Sequence, residues 1–249
     1  EYNTIAAFMG TFTDSYKKIY SYFSKKIPEK FLQNKEKIQV LTESFDNVEK
    51  FAESMIEAIK LGFPQNYKQS VIVFVVQKVE LNIFDQYSIS NELYDKYEII
   101  SKRMTFSEIK KNCTQDDQGN LLVDGKIISL FYFRAGYVES DYPDEESWQG
   151  RELIELSTAI KLPDINTFLT TFKVFQYYLS KPDILMHYCQ NELIINDILR
   201  FFGGIYYVRD MTDETKNELF SKIKNDPNQY ILKPMKEGGG NIVSGDQLK

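Results

Sequence analysis

Residues 70–77 constrain the fold of this chain more than any other segment, because the six consecutive positions 71–76 are all apolar. A strand of this composition has no polar face that could meet solvent. Strands buried on both faces are typical of the centre of a parallel sheet, where crossover helices cover both sides. The segment therefore predicts a central parallel strand.

Sequence patterns after residue 77 indicate that this strand belongs to an α/β unit. They are a helix at 84–97, a strand at 98–102, a helix opened by the capping pattern Thr105-Phe-Ser-Glu108, and a strand at 126–133 after an Asp124-Gly125 turn. Alternating strands and helices of this length favour a small α/β unit with a parallel component, over about residues 70–137.

Two segments before residue 67 show apolar residues at helical spacing. Asp14 is predicted to cap a helix that turns Tyr16, Ile19, Tyr20 and Phe23 towards a core, and Asp46 to open a second helix. Both apolar stripes are interpreted as core.

Composition excludes several classes of function. A net charge of −6 argues against a broad nucleic-acid surface but leaves a local basic cleft open. Cys113, Cys189 and the single histidine, His187, form no zinc-binding pattern. No apolar run approaches the ~20 residues of a membrane helix. Few cysteines and no signal peptide predict a cytoplasmic location without membrane contact.

The stretch 230–241 carries the clearest binding signal. Tyr230–Leu232 predicts a short buried strand, Lys233 follows it, and Pro234 stops strand pairing. Three glycines, Gly238–Gly240, let backbone N–H groups approach an anion closely, while a nearby carboxylate suits a hard cation. A polyphosphate with Mg²⁺ fits this combination; a flexible surface hairpin is the alternative.

Polar residues also follow the central strand. Glu80, Asn82 and Gln86 lie where the carboxyl end of a parallel strand is expected, and open α/β sheets bind ligands there. Asp85 is equally compatible with a role as a helix cap.

An arginine and a lysine are two further candidates. Arg134 ends an aromatic strand beside Gly136 and can bind a carboxylate bidentately. A buried structural ion pair is the alternative, and this stretch alone favours it. Lys173, on a predicted helix, is by itself typical of a solvated side chain.

The first residues of the chain are a weaker candidate. Glu1 and Asn3, two positions apart on a strand, would face the same side and could reach one cation. A solvated chain end is the alternative, and this stretch alone favours it.

Taken in order, these segments resemble eukaryotic glutathione synthetase. The matching pieces are Glu-Tyr-Asn-Thr-Ile at 1–5, Asn-Ile-Phe-Asp-Gln at 82–86, Phe-Arg-Ala-Gly-Tyr at 133–137, Lys-Leu-Pro-Asp-Ile at 161–165 with Lys173 beyond, and the glycine-rich segment 232–241. The resemblance implies an α/β fold: an ATP-grasp-type ligase with an inserted small αβα substrate-binding unit. It implies that residues 1–66 belong to the ATP-grasp or helical body, 67–165 to the substrate-binding domain, and 166–249 to an incomplete ATP-grasp part with the nucleotide loop.

The resemblance also implies an activity. Family members join γ-glutamylcysteine to glycine with ATP and Mg²⁺, through an acyl phosphate, and act as homodimers without nucleic acid or membrane. The chain corresponds to the central part of such an enzyme, and alone it is expected to be inactive.

Site residues follow position by position from the matching motifs. Mg²⁺ is assigned to Glu1, Asn3 and Glu237. ATP is assigned to Glu1, Lys173, Lys233, Pro234, Met235, Lys236, Glu237, Gly238, Gly239, Gly240, Asn241, Ile242 and Ser244. The dipeptide is assigned to Ile5, Ala6, Ala7, Phe8, Glu80, Leu81, Asn82, Gln86, Arg134, Ala135, Gly136 and Tyr137. Lys233 and Arg134 are the residues expected to act in catalysis, through their charge.

The chain departs from the family pattern at four places. Ala6 and Phe8 stand in a segment where the family usually has serines, and Ile242 and Ser244 stand where it commonly has an asparagine and an aromatic residue. Two alternatives therefore stay open: a divergent ATP-grasp ligase with another acceptor, and a non-catalytic relative that acts as a binding or dimerising module.

Overall fold

A computed structural model describes residues 3–5, 9–26, 46–65, 67–234 and 242–248. Its contacts divide the chain into two compact units. The larger is Ile5–Asp164, and the smaller combines Glu1–Thr4 with Ile165–Lys249. The domain boundaries drawn from the sequence stay a prediction.

A mixed sheet forms the centre of the larger unit. Its strands are β1 (Val71–Val75), β2 (Ile100–Met104), β3 (Thr114–Gln115), β4 (Leu121–Val123), β5 (Lys126–Phe133) and β6 (Ile160–Leu162). Strand β1 lies between β2 and β5 and is parallel to both, and β6 is parallel to β5. Strands β3 and β4 extend the sheet in antiparallel pairing.

Strand β1 is the buried centre of this sheet, as predicted. All five of its residues are inaccessible to solvent. Val71, Val73 and Val75 belong to one hydrophobic cluster, and Ile72 and Phe74 to another on the opposite face. A strand with two apolar faces needs cover on both, which explains why helices lie on each side.

Four helices provide that cover. Helices α2 (Asn47–Gly62) and α3 (Ile83–Tyr97) bury apolar residues in the cluster of Ile72. Helices α4 (Phe106–Asn112) and α5 (Glu145–Leu156) do so in the cluster of Val73. The prediction of an α/β fold is confirmed.

Local signals account for several boundaries. The side chain of Thr105 accepts a hydrogen bond from the Glu108 backbone N–H, and Glu108 returns one, so the predicted capping box is present. Asp124 and Gly125 have φ values of 50° and 74°, and the turn they form joins β4 to β5 in a hairpin.

The first helix corrects two predictions. Helix α1 (Met9–Lys26) begins before Asp14, and its Tyr16, Ile19 and Tyr20 are about half exposed, so the predicted core stripe is wrong. Asp14 does cap a helix, but that helix is α2. Its Oδ2 accepts a hydrogen bond from the Val48 backbone N–H at 2.8 Å, while Asp46, at the N-cap position, makes no such bond.

The smaller unit consists of short helices and one hairpin. The helices are α6 (Ile165–Leu169), α7 (Lys173–Leu179), α8 (Pro182–Met186), α9 (Glu192–Leu199) and α10 (Asp213–Asn225). Strands β7 (Ile231–Leu232) and β8 (Val243–Ser244) pair in antiparallel fashion. Ile231 and Leu232 are 57% and 55% exposed, so the prediction of a buried strand is wrong. Within the described residues β7 pairs with β8 alone, so its other edge has no strand partner there.

None of the helices in the described part of the chain is long and apolar enough to cross a membrane.

Candidate functional site

The ends of β1 and β5 bring several of the predicted dipeptide residues to one edge of the sheet. Val75 pairs with Phe133, and the Arg134 backbone N–H donates to the Val75 carbonyl at 2.8 Å. Because the two strands are parallel, the segments that leave them emerge together. We call Glu80, Asn82, Asp85, Gln86 and Arg134 the carboxyl edge.

Arg134 forms a buried ion pair with Asp85. The contact joins Arg134 Nη1 to Asp85 Oδ2, and the side chains are 5% and 6% exposed. Burial disfavours the charged guanidinium and lowers the pKa of Arg134. The hydrogen bond to Asp85 and the electrostatic attraction of Tyr132, Asp85 and Glu80 outweigh this effect, so the pKa of Arg134 lies above its ordinary value. The ion-pair interpretation therefore describes the contact Arg134 makes; its ligand role stays a prediction.

Asp85 does not cap helix α3, because Asn82 holds the N-cap position. Its carboxylate points to Arg134 through Oδ2, while its buried Oδ1 has no hydrogen-bond partner in the described part of the chain. A buried carboxylate oxygen without a donor is costly, so the pair depends on the Arg134 charge.

Tyr132 forms part of the wall beside this pair. Its ring centroid lies 5.7 Å from the central guanidinium carbon of Arg134. Burial raises the pKa of Tyr132 to about 12, so its phenol is neutral at physiological pH.

A second network crosses the carboxyl edge from strand β2. Arg103 Nε donates to Gln86 Oε1 at 2.8 Å, and Gln86 Nε2 donates to Glu80 Oε2 at 2.8 Å. The other oxygen of Glu80 accepts from the Asn82 backbone N–H at 2.9 Å. Three of the predicted dipeptide residues, Glu80, Asn82 and Gln86, are thus connected by hydrogen bonds.

The loop after Arg134 holds a carboxylate of its own chain. Asp141 Oδ2 accepts from the backbone N–H groups of Gly136 and Tyr137 at 2.7 and 3.0 Å. Its Oδ1 accepts from Gln77 Nε2 at 2.9 Å. Two adjacent N–H donors at the end of β5 therefore bind a carboxylate group, while the Tyr137 hydroxyl donates to the Phe133 carbonyl.

The other predicted dipeptide residues differ in exposure. Ala135 is 1% exposed and belongs to the core, so its side chain serves packing. Leu81 is 86% exposed, Asn82 is exposed, and Ile5 is half-buried. Ala6, Ala7 and Phe8 lie outside the described residues.

In the smaller unit, the start of the chain lies beside the segment that leads into α7. The Thr4 backbone N–H donates to Thr171 Oγ1 at 3.4 Å, and Thr4 Oγ1 donates to the Thr167 carbonyl at 2.6 Å. Asn3 precedes this anchor and Lys173 follows it, so a predicted metal ligand and a predicted phosphate ligand lie in one region of this unit.

The glycine-rich segment connects the two strands of the β7–β8 hairpin. Leu232 pairs with Val243, so Lys233 and Pro234 leave one strand and Ile242 enters the other. The predicted site residues between them lie outside the described part: Met235, Lys236, Glu237, Gly238, Gly239, Gly240 and Asn241. Ser244 is the partner of Ile231. A polyphosphate loop and a surface hairpin both remain compatible with these flanks.

The predicted Mg²⁺ ligands are described only in part. Glu1 and Glu237 lie outside the described residues, and the Asn3 side chain is exposed. Among the residues that the structure describes, no group of three or more histidine, cysteine, aspartate or glutamate side chains could hold a metal ion.

Sequence reasoning gave no role to Arg103 or Asp141. Arg103 directly follows the strand predicted at 98–102, so the same edge rule that selected Glu80 could have found it. Asp141 accepts a hydrogen bond from the Gly136 N–H within one loop. The residues around Asp141 show no pattern that indicates this contact.

The fold is that of an α/β domain, and in such domains ligands bind where side chains converge at the carboxyl ends of parallel strands. The model of the family "Eukaryotic glutathione synthase" matches residues 70–170, a range that contains the whole carboxyl edge. The predicted resemblance is confirmed: this part of the chain carries the eukaryotic glutathione synthase domain.

Curated relatives extend the match. The chain is 35% identical over 203 residues to the chloroplastic glutathione synthetase of Solanum lycopersicum, covering 81% of this chain and 35% of that protein. It is 34% identical over 180 residues to glutathione synthetase of Homo sapiens, covering 72% and 37%. The chain thus spans about a third of the length of these relatives.

Among solved structures, an apo glutathione synthetase-like effector from Globodera pallida aligns with a TM-score of 0.48 and 18% identity, over 62% of this chain and 34% of that one.

Proposed function

We propose that the full-length protein is an ATP- and Mg²⁺-dependent ligase that joins γ-glutamylcysteine to glycine, and that the carboxyl edge binds the dipeptide. The observation that carries this proposal is the family match over residues 70–170, because it contains Glu80, Gln86 and Arg134 at one edge of one sheet.

The chemistry of the edge suits a dipeptide with free charged ends. γ-Glutamylcysteine carries two carboxylates and one ammonium group. Arg134 and the amide of Asn82 offer hydrogen-bond donors. Glu80, which the buried Gln86 amide holds in place, offers a carboxylate to an ammonium group. The N–H pair of Gly136 and Tyr137 already binds a carboxylate, that of Asp141, so it has the geometry for a substrate carboxylate that displaces it.

The proposed reaction needs positioning and charge neutralisation rather than a nucleophilic side chain. A cysteinyl carboxylate oxygen attacks the γ-phosphorus of ATP, and the bond to the leaving ADP oxygen breaks. The glycine amine then attacks the acyl carbon, the bond to the phosphate oxygen breaks, and the nitrogen loses a proton. Glutathione, ADP and phosphate result.

Lysines and oxygen ligands would support these steps. Lys173 and Lys233 would neutralise the phosphates from two sides, and backbone N–H groups of the glycine-rich segment would bind them. Glu1, Asn3 and Glu237 would hold Mg²⁺, which supplies further charge neutralisation when bound and prefers such oxygen ligands. These roles rest on the motif match.

Oligomeric state and location are also proposals. A homodimer is proposed from the resemblance alone. A cytoplasmic location is proposed from the low cysteine content, and two of the relatives are named chloroplastic.

A panel of acceptors tests the proposal. ADP release by the full-length protein should require both γ-glutamylcysteine and glycine, with glutathione identified by mass spectrometry. Preference for alanine or serine would favour the divergent ligase, to which the departures at Ala6, Phe8, Ile242 and Ser244 point. No ADP release with any acceptor would favour a non-catalytic relative.

A further inference from the structure

We propose that Arg103 is a positioning residue of the dipeptide site: it fixes the amide of Gln86 and, through that amide, the carboxylate of Glu80. The inference rests on the proposed function, because Glu80 is taken to contact the dipeptide.

The geometry is a directed chain of hydrogen bonds. Arg103, on β2, donates through Nε to Gln86 Oε1, and Gln86, on α3, donates through Nε2 to Glu80 Oε2, both at 2.8 Å. Glu80 is held at its other oxygen by the Asn82 backbone N–H. The carboxylate is therefore fixed from two directions before any ligand arrives.

Only one orientation of the Gln86 amide satisfies this chain. A guanidinium only donates hydrogen bonds, and an ionised carboxylate only accepts them. The amide oxygen must face Arg103 and the NH₂ group must face Glu80. The Gln86 side chain is inaccessible to solvent, so no bulk water can replace either partner.

Loss of Arg103 would act on Glu80 at a distance. Gln86 Oε1 would remain buried without a donor, and its amide would move to find one. The donor that holds Glu80 Oε2 would move with it. Arg103 is itself held in place, because its guanidinium carbon lies 5.7 Å from the centroid of the Tyr87 ring.

Lys102 is a matched control on the same strand. Successive strand residues point to opposite faces, and Lys102 forms its ion pair with Asp124, a residue of the β4–β5 turn. A change at Lys102 removes a positive charge from β2 without touching Gln86.

The test compares variants of the full-length protein by calorimetric titration with γ-glutamylcysteine, by steady-state kinetics and by thermal unfolding. We expect Arg103→Met to weaken the dipeptide Kd about tenfold. The KM for the dipeptide should rise, while the KM for ATP and kcat change little. Arg103→Lys, which keeps a charge but lacks the planar fork, should show a smaller loss. Lys102→Met should leave the dipeptide Kd unchanged.

A double-mutant cycle separates positioning from a general structural role. If Arg103 acts through Glu80, Arg103→Met should have little further effect on dipeptide Kd in the Glu80→Gln background. Additive effects, or an unchanged dipeptide Kd in both Arg103 variants with only a lower Tm, would overturn the inference. Wild-type protein that does not bind γ-glutamylcysteine would contradict the proposed function and this inference with it.

Discussion

Asp85 and Arg134 form a buried ion pair that fastens the first turn of helix α3 to the end of strand β5. Gln86, the next residue of the same turn, is held by Arg103 from β2. Two arginines from the strands on either side of β1 therefore fix the start of one helix. That arrangement determines where Glu80 and Asn82 lie.

Removing one partner of this ion pair should lower the free energy of unfolding far more than removing both partners. Arg134→Met leaves the buried carboxyl group of Asp85 without its cationic partner, which we expect to cost about 3–5 kcal/mol of unfolding free energy. The double change Asp85→Leu with Arg134→Met leaves no buried charge, and its cost should be much smaller than that of Arg134→Met alone. Urea unfolding of the variants and the wild type measures both. A double variant no more stable than Arg134→Met would contradict the account.

Three glycines should tolerate an added methyl group to very different extents. At Gly150, in α5, a Cβ would collide with the Phe106 backbone carbonyl, so Gly150→Ala should be the most destabilising. At Gly136, with φ of +102°, a Cβ would lie 2.9 Å from the Phe106 ring. At Gly125, with φ of +74°, it would meet nothing within 4 Å, so the cost should be only the conformational ~1–2 kcal/mol. Thermal unfolding should rank them in this order, and equal losses would refute it.

Asp14, which lies in helix α1, should stabilise helix α2 by capping its N-terminus. Its carboxylate accepts hydrogen bonds from the Val48 backbone N–H and from Asn47 Nδ2, so Asp14→Ala should cost about 1 kcal/mol. Asp46→Ala is the matched control, because Asp46 holds the N-cap position without a capping bond, and its ion pair with Lys17 is exposed. If Asp46→Ala proves more destabilising in urea unfolding, the assignment of the cap to Asp14 is wrong.

Cys113 should react slowly with iodoacetamide at neutral pH. Burial, followed by the nearby Asp124 charge, raises the pKa of its thiol to about 11. Because the thiolate is the reactive form, about one thiol in a thousand is ionised at pH 8, and the rate should rise about tenfold per pH unit up to pH 10. Mass spectrometry of the labelled peptide follows this rate, with Cys113→Ser as the control. A rate independent of pH above 8 would contradict the raised pKa.

The sequence predicts those features that depend on local pattern. The apolar run of β1, the Thr105–Glu108 capping box and the Asp124-Gly125 turn each occupy a few consecutive residues, and each is present. The rule that ligand residues lie at the carboxyl ends of parallel strands also selects Glu80, Asn82 and Gln86, and these residues do follow the parallel strand β1.

Contacts between distant residues were harder to predict. Asp14 caps α2 from 34 positions away, and Asp85 meets Arg134 across 49 positions, so neither contact shows in local spacing. The exposed face of α1 was mistaken for core, because helical periodicity shows that a helix is amphipathic but does not show what covers its apolar side.

The central claim is that the carboxyl edge binds γ-glutamylcysteine through Arg134. Calorimetric titration of the Asp85→Leu, Arg134→Met double variant tests it most directly, because that variant should keep its fold while it loses the guanidinium. We predict that the dipeptide Kd rises by at least about tenfold relative to wild type, the loss of one charge-assisted contact. An unchanged Kd in a folded double variant would contradict the claim.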